Sequence, residues 1–285
     1  MGENTLRVLV TGAGGFIGRR VMATLQPRLR SVDAFAGDVR DLATYDGRAD
    51  VVLHLAALVR HDQFAAAPAR GYDVNVVGTQ GVLNYCRRVG ARCVLASTSG
   101  IYRATTVATP VPESAAVEPL SPYAMSKWLA ERLCEQQAKD AGVASVALRV
   151  FNVYGPGQHG AFLIPHVVHS LMEGRPIVLR MPEAIRDFVY VDDVAEAFYR
   201  AALLQARHGF CVFNVGSGCA TRVRDMVEVA EHLFGPATRI ETSRQHPGEP
   251  DAVVADTTQA RRELGWAPQY DLVAGLQAMK AAMVH

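Results

Sequence analysis

The feature that most constrains this chain is a glycine-rich loop directly after its first predicted strand. The apolar run Leu6–Val10 is followed by Thr11–Gly18, where glycines at 12, 15 and 18 give the spacing G-x-x-G-x-x-G. Such glycines permit a tight turn, a close approach of the backbone to a pyrophosphate and close packing of the next helix. The phosphates then lie at the helix N-terminus, where free N–H groups and the dipole favour negative charge. A Walker A loop would need Gly-Lys-Ser/Thr, which the chain lacks. The motif therefore predicts a dinucleotide site.

The rest of the first half alternates short apolar runs with helical stretches of ten to twenty residues. This alternation predicts βαβ units and a doubly wound parallel sheet of an α/β protein, with helices on both faces. After Asn152 glycine and proline become frequent, and a last strand-like run is Val212–Val215. We expect a dinucleotide-binding domain over 1–151, with returning segments at about 190–218, and a smaller, mainly substrate-binding lobe over 152–285. The further strand candidates are a run within Leu29–Phe35, Val51–Leu55, Cys93–Ala96 and Val146–Val150.

Composition excludes several classes of protein. The chain is 49% hydrophobic, which argues against disorder, and 29 basic residues against 28 acidic ones give no global field for nucleic acid. No apolar stretch approaches the roughly 20 residues of a membrane span, and no signal peptide is evident. The five cysteines form no CxxC pair, which favours reduced thiols in a cytoplasm. His166 and His169 share a helix face without an evident third ligand, so we predict no metal site.

A tyrosine and a lysine are spaced to share one face of a predicted helix. Ser121 and Pro122 suit its N-cap and first helical position, and Gly142 suits its end. Tyr123 and Lys127 are then an i,i+4 pair, and the cation is expected to lower the pKa of the phenol from about 10. Such a tyrosine can exchange a proton with an alcohol or ketone while hydride moves. A surface pair is the alternative for this motif on its own.

Hydroxyl side chains follow the strand candidate that ends near Ala96. Ser97, Thr98 and Ser99 stand at its carboxyl end, where α/β sheets bind ligands. One of them can hydrogen-bond a reacting oxygen. A serine-rich turn that caps the strand is the alternative, and it remains open for Ser97 and Ser99 individually.

Taken in order, these motifs resemble the extended short-chain dehydrogenase/reductase family, in its NAD-dependent epimerase/dehydratase group. The resemblance covers nearly the whole chain and implies a Rossmann-like domain with bound NAD(P) and a lobe for a nucleotide-diphosphate sugar. The segments that carry it are Thr11–Gly18, 37–41, 54–57, Asn75 with Gly78 and Thr79, 97–102, 123–127, 149–157, 186–193 and 264–268.

The resemblance implies roles for individual residues. Tyr123 is the acid/base, Lys127 supports it and holds the nicotinamide ribose, and Thr98 is the catalytic hydroxyl. Asn152 and Arg186 match residues near the sugar diphosphate; an ion pair of Arg186 with a neighbouring aspartate, Asp187 or Asp192, is the alternative. Asn75 matches a position that is more often structural. The expected cofactor contacts are Gly12, Gly15, Phe16, Ile17, Gly18, Asp38, Val39, Leu55, Ala56, Ala57, Tyr123 and Lys127; the expected substrate contacts are Thr98, Tyr123, Asn152, Arg186 and Arg244.

The sequence departs from the family in three places. Dehydratases carry Thr-Asp-Glu where this chain has Thr98, Ser99 and Gly100, so the groups for water elimination are missing. Enzymes that epimerise and reduce GDP-sugars carry a cysteine at the position of Gly100. The arginine expected three residues before an acid is replaced by His246, and Arg244 is the possible substitute.

These observations predict an NAD(P)-dependent enzyme that acts at C4 of a nucleotide-activated sugar, with 4-epimerisation as the first hypothesis. A one-way 4-ketoreductase is nearly equal to it, since the same three side chains serve both reactions. A non-catalytic sensor of NAD(P)H is the alternative from another class. The family also implies a homodimer through helices near 78–89 and 122–141.

The adenosine end of the cofactor site has an unusual length. After a first helix that reaches about Leu25, the segment Arg28–Gly37 has room for one strand, because two parallel strands need a crossover of about a dozen residues. Asp38 follows Gly18 at about the spacing of a ribose-binding acid. A carboxylate there repels a 2′-phosphate and favours NAD, whereas Arg28 and Arg30 nearby leave NADP open.

Overall fold

The structure, a computed structural model, describes residues 6–103, 107–205, 209–242 and 252–283. Its strands are β1 (Arg7–Thr11), β2 (Ser31–Phe35), β3 (Val51–His54), β4 (Arg92–Thr98), β5 (Pro110–Val111), β6 (Ser145–Val150), β7 (Asn152–Tyr154), β8 (Ile177–Leu179), β9 (Ile185–Arg186), β10 (Phe188–Tyr190), β11 (Phe210–Val215), β12 (Thr221–Arg222), β13 (Ile240–Thr242) and β14 (Ala252–Ala255). Its α-helices are α1 (Phe16–Leu25), α2 (His61–Ala66), α3 (Pro68–Tyr72), α4 (Gly78–Val89), α5 (Pro122–Ala141), α6 (Leu163–Met172), α7 (Val191–Leu203), α8 (Val223–Phe234) and α9 (Leu272–Met283). Short 3-10 helices cover Val39–Thr44 and Ser99–Ile101, and π-helical turns cover Asp73–Val77 and Ala260–Leu264.

The core is a parallel sheet of six strands in the order β11-β6-β4-β3-β1-β2. Alternate residues of one strand enter opposite layers. Val8 and Val10 pack with α1 and α7, whereas Leu9 packs with α4 and α5. Both faces are buried, which explains why the strands read as continuous apolar runs. The predicted α/β fold is confirmed.

Among the residues that the structure describes, β2 is the last strand at one edge of the main sheet. α1 ends at Leu25, and β2 lies at the sheet edge, paired with β1 from Ser31 opposite Arg7 to Phe35 opposite Thr11. The segment between α1 and Asp38 thus holds one strand, as its length predicts.

The chain after β6 contributes to two places. β11 returns to the main sheet beside β6, and the predicted strand Val212–Val215 is its second half. A second hydrophobic cluster gathers side chains from α6, α8, α9 and β8 around Leu276 and Met226. Beside it lies a small sheet in the order β12-β9-β14-β5. Within the described ranges, every helix is too short or too polar to traverse a lipid bilayer.

Candidate functional site

The glycine-rich loop leaves the N-terminus of α1 open. Gly12 has φ +70°, and a Cβ there would lie 2.5 Å from the backbone nitrogen of Ala56, so no other residue fits this turn. Gly15 is the N-cap of α1 and provides no capping side chain, and the first turn carries no acid. A Cβ built on Gly14 meets nothing within 4 Å. Uncapped N–H groups beside open space suit an anion, so the loop fits the pyrophosphate of a dinucleotide.

The residues that follow β3 hold the glycine-rich loop in place through hydrogen bonds to Thr11. The Leu55 N–H donates to the Thr11 carbonyl at 3.2 Å, and the Ala56 N–H donates to Thr11 Oγ1 at 3.3 Å. His54 hydrogen-bonds Thr11 Oγ1 through Nδ1 at 2.9 Å and Thr79 Oγ1 through Nε2 at 3.0 Å. Burial, and then the charge of Lys127, lower the pKa of His54 to about 3. His54 is therefore neutral, and its two hydrogen bonds position the predicted cofactor contacts 55–57.

The tyrosine–lysine pair lies on the first turns of α5. The Ser121 hydroxyl caps this helix by accepting from the Ala124 N–H at 3.1 Å, and Gly142 ends it with φ +66°. Lys127 is 2% exposed and Tyr123 is half-buried. The surface-pair alternative is therefore wrong for Lys127.

The hydroxyl of Thr98 reaches the phenol. Thr98 is the last residue of β4, its side chain accepts from the Gly100 N–H at 3.2 Å, and it is hydrogen-bonded to the side chain of Tyr123. The structure thus joins the strand end and the helix start at one point. Sequence reasoning placed Thr98, Tyr123 and Lys127 in one site, and the fold brings them together.

Burial is the largest cause of the pKa shifts of Tyr123 and Lys127. Burial raises the pKa of Tyr123 to about 12, against the opposing hydrogen bond from Thr98. The expectation that this phenol has a lowered pKa is wrong for this structure, because loss of water penalises the phenolate more than its neighbours stabilise it. Burial lowers the pKa of Lys127 to about 8, and the nearby Cys134, Glu131 and Cys93 raise it.

Asn75 has the structural position that the resemblance implies. Its amide Nδ2 donates to the Leu58 carbonyl at 3.0 Å and to Ser126 Oγ at 2.9 Å, and its Oδ1 accepts from the Leu58 N–H at 2.8 Å. Ser126 in turn donates to the Tyr123 carbonyl at 2.7 Å. Asn75 therefore ties the loop after β3 to the first turn of α5.

At the predicted adenosine end, Asp38 is already paired. It caps the 3-10 helix by accepting from the Arg40 N–H, and its carboxylate accepts from Arg40 Nε at 2.9 Å and Nη2 at 2.5 Å. The Arg40 guanidinium lowers the pKa of Asp38 to about 2. Val39 is buried and packs at this end of the sheet. Arg40 beside Asp38 was missed, although its position two residues on was visible in the sequence.

The residues predicted to bind the sugar diphosphate lie on β7 and β9. Asn152 Nδ2 donates to the Asp187 carbonyl at 3.2 Å, next to Arg186. The carboxylate of Asp187 accepts from Ser217, Gly218 and Ala255, and Asp192 pairs with Arg20. The two acids that were alternatives for Arg186 thus have other partners.

Two further predictions concern Arg244 with His246 and His166 with His169. Arg244 and His246 lie outside the described residues. His166 and His169 lie on α6, and no group of three metal-ligating side chains occurs among the residues that the structure describes.

Comparison with known proteins follows this geometry. Residues 8–216 match the NAD dependent epimerase/dehydratase family. The chain belongs to this family. The predicted family, the enzyme class and the nicotinamide cofactor NAD are thereby confirmed.

Individual relatives agree with this membership. A UDP-glucose 4-epimerase of Azospirillum brasilense is 29% identical over 95% of this chain and 89% of its own. The crystal structure of UDP-glucose 4-epimerase from Thermotoga maritima with UDP-glucose has a TM-score of 0.90 at 26% identity, covering 98% and 99% of the two chains. MoeE5 in complex with UDP-glucuronic acid and NAD has a TM-score of 0.90 at 30% identity over 98% and 99%.

The surroundings of Gly100 bear on one of the differences between this chain and the dehydratases of the family. A Cβ on Gly100 would meet Thr98 Oγ1 at 3.5 Å and Ala124 Cβ at 3.8 Å, which are ordinary contacts. The fold therefore accepts a Cβ at this position, so packing at that atom does not require glycine.

A buried ion pair behind the site was not predicted. Arg149 Nη2 donates to Glu131 Oε2 at 2.8 Å and Nε to Oε1 at 3.1 Å, and the two side chains are 4% and 0% exposed. The signal was present: Arg149 stands in the apolar strand β6, and Glu131 follows Lys127 by four residues on α5. A charge within a fully buried strand indicates a buried partner.

Proposed function

We propose that this protein is an NAD-dependent 4-epimerase of a UDP-activated sugar. The observation that carries the proposal is the hydrogen bond between Thr98 and Tyr123, one turn from buried Lys127 and beside an uncapped helix N-terminus. The family and the named relatives support the reaction and the nucleotide.

The side chains divide the work at the reacting carbon. We assign to Tyr123 the removal of the 4-hydroxyl proton in its phenolate form, which the positive charge of Lys127 stabilises against the effect of burial, and the Thr98 hydroxyl hydrogen-bonds the same oxygen. Lys127 holds the nicotinamide ribose and supports the phenol. NAD, held at the glycine-rich loop and by Lys127, would supply the acceptor and donor of the C4 hydride. Tyr123 then returns its proton to the oxygen, so the sugar is inverted without net oxidation.

The remaining predicted contacts hold the two ligands. Gly12, Gly15, Phe16, Ile17 and Gly18 bind the pyrophosphate of NAD, and residues 55–57 line the cofactor. Asn152 and Arg186 bind the sugar diphosphate, with Arg244 as a further contact. Residues 1–151 with 190–218 form the cofactor domain and 152–285 mainly the sugar lobe, a division supported by the return of β11 to the main sheet.

Water elimination is not part of the proposal. Positions 99 and 100 are Ser and Gly, so neither an acid nor a thiol stands beside Thr98 there. A Cβ at Gly100 would make only ordinary contacts, so packing at that atom does not account for the glycine.

The test is interconversion of UDP-sugars by the purified protein. We expect UDP-glucose to yield UDP-galactose, or UDP-glucuronic acid its C4 epimer, with catalytic NAD and no net change at the nicotinamide absorbance band. Stoichiometric consumption of NAD(P)H by a 4-keto sugar nucleotide would show a ketoreductase instead. Cofactor binding without turnover on either substrate would show a sensor.

We also infer a cytoplasmic homodimer. Met125 and Leu129 are an i,i+4 pair on α5 that are 36% and 38% exposed, and Val77 at the start of α4 is 51% exposed, which supports a contact through these helices. All five cysteines are free thiols, in keeping with a reducing compartment. Light scattering should give twice the chain mass, and Leu129→Glu should give the monomer.

A further inference from the structure

A carboxylate with no contact to water lies behind the proposed catalytic residues. Glu131 is 0% exposed, accepts two hydrogen bonds from Arg149 and one from the Ser97 hydroxyl. A buried ion pair gives little net stability, since desolvation of the two charges offsets their attraction. Stability therefore does not explain why these two charges are buried together.

The position of Glu131 relates it to all three proposed catalytic side chains. On α5 it lies one turn beyond Lys127 and two turns beyond Tyr123, so the three share one side of the helix. Its partner Ser97 immediately precedes Thr98 on β4. One carboxylate thus joins the strand that carries Thr98 to the helix that carries Tyr123 and Lys127.

The ion pair continues into the small sheet of the sugar side. Arg149 Nη1 donates to the Tyr102 hydroxyl at 2.9 Å, and that hydroxyl donates to Asn214 Oδ1 at 2.6 Å. Asn214 Nδ2 donates to the Val111 carbonyl at 2.8 Å. Val111 belongs to β5, which is joined through β14 to β9 and Arg186.

We propose that Glu131 is a positioning residue of the reaction: held by Arg149, its carboxylate sets the charge beside Lys127 and fixes Thr98 against Tyr123. The expected effect of Glu131 on turnover rests on the proposed function, whereas its expected effect on the pKa of Lys127 does not. The charged and titratable groups that act on Lys127 are Glu131 and Cys134 on α5, Cys93 on β4 and His54 on β3. Of these, Glu131 is the carboxylate, and it raises the pKa of Lys127 against the effect of burial.

The chain offers a direct readout of this charge. Its three lysines are Lys127, Lys139 and Lys280, so a protein with ¹³C-labelled lysine side chains gives three signals in a pH titration. Lys139 and Lys280 make exposed contacts and serve as internal references. We expect the Lys127 signal of Glu131→Gln to titrate about one unit lower than in the wild type.

A second variant separates positioning from stability. Glu131→Gln alone leaves Arg149 buried without its ion pair and should lower the melting temperature by about 10 °C. The double variant Glu131→Gln/Arg149→Met removes both charges, keeps an acceptor for Ser97 and should recover most of that loss. We expect the kcat of the double variant to remain at least tenfold below that of the wild type. The alkaline limb of its pH–rate profile should lie at lower pH than in the wild type, and its KM for the sugar nucleotide should change less than about threefold.

A matched control is Asp193→Asn. Asp193 is also buried and accepts from the backbone of Gln269 and Tyr270, which belong to neither α5 nor β4. It should lose stability without moving the Lys127 titration. Recovery of both melting temperature and kcat in the double variant, or an equal shift of Lys127 in Asp193→Asn, would overturn the proposal. If the wild type fails to epimerise UDP-sugars, the proposed function fails, while the Lys127 titration still decides the role of Glu131.

Discussion

The two ends of the proposed cofactor site are built in opposite ways. At the nicotinamide end, Lys127 is buried and His54 and Asn75 each have bonding partners on two other segments. At the adenosine end, β2 is an edge strand, and Asp38, three residues after it, is exposed and paired with Arg40. Buried polar groups that satisfy one another hold a single geometry, whereas an exposed ion pair exchanges partners at little cost. The chemistry is therefore fixed by the fold, and the choice of cofactor depends on a few surface atoms.

The strongest test of this difference is Tyr123→Phe. Only the hydroxyl that bonds Thr98 and is proposed to exchange the proton is removed, so kcat should fall by about 10²–10⁴ while NADH affinity stays nearly unchanged. Single-turnover kinetics with a fluorescence titration of NADH measures both. Activity above a few per cent of wild type would refute the role of Tyr123.

Lys127→Met should lower kcat by about 10² and weaken cofactor binding as well, because this side chain is proposed to support the phenol and to hold the ribose. Lys139→Met is the matched control on the same helix, since Lys139 is exposed and pairs with Glu135. A loss of kcat with unchanged NADH affinity would remove the ribose contact from the proposal.

Arg186→Ala tests the sugar side. Loss of charge-assisted hydrogen bonds to a diphosphate should raise the KM for the sugar nucleotide by about 10- to 100-fold and leave NADH affinity close to wild type. Arg222→Ala is the control, because Arg222 lies on the neighbouring strand β12 and pairs with exposed acids. Equal losses for substrate and cofactor with a lower melting temperature would indicate a structural role for Arg186.

The fold was predictable where one rule applies to a whole segment. We predicted the parallel sheet from the glycine spacing and the apolar runs. The short distance from Gly18 to Asp38 predicted that this segment holds one strand, which is β2. Tyr123 and Lys127 share a helix face because their spacing of four requires it.

What escaped prediction depends on contacts between distant segments. The partner of Glu131 is 18 residues away on another element, and the pKa of Tyr123 is set by how much water the folded chain excludes. Periodicity describes one segment at a time and carries no information about either.

The smallest expected effect concerns the adenosine end, where Asp38 is proposed to contact the 2′-oxygen of the ribose. A free carboxylate would strongly repel the 2′-phosphate of NADP, but Arg40 binds both oxygens of Asp38 and brings a compensating charge to the same place. We therefore expect NADH to bind more tightly than NADPH by only about tenfold, a difference that isothermal titration of the two cofactors measures. Asp38→Asn should erase most of this preference, whereas Arg40→Ala should widen it, because the freed carboxylate then acts on the 2′-position alone. Tenfold tighter binding of NADPH by the wild type would contradict the role of Asp38. It would also make the ketoreductase the first hypothesis, since a one-way reduction consumes its reduced cofactor, whereas an epimerase regenerates its cofactor in each turnover.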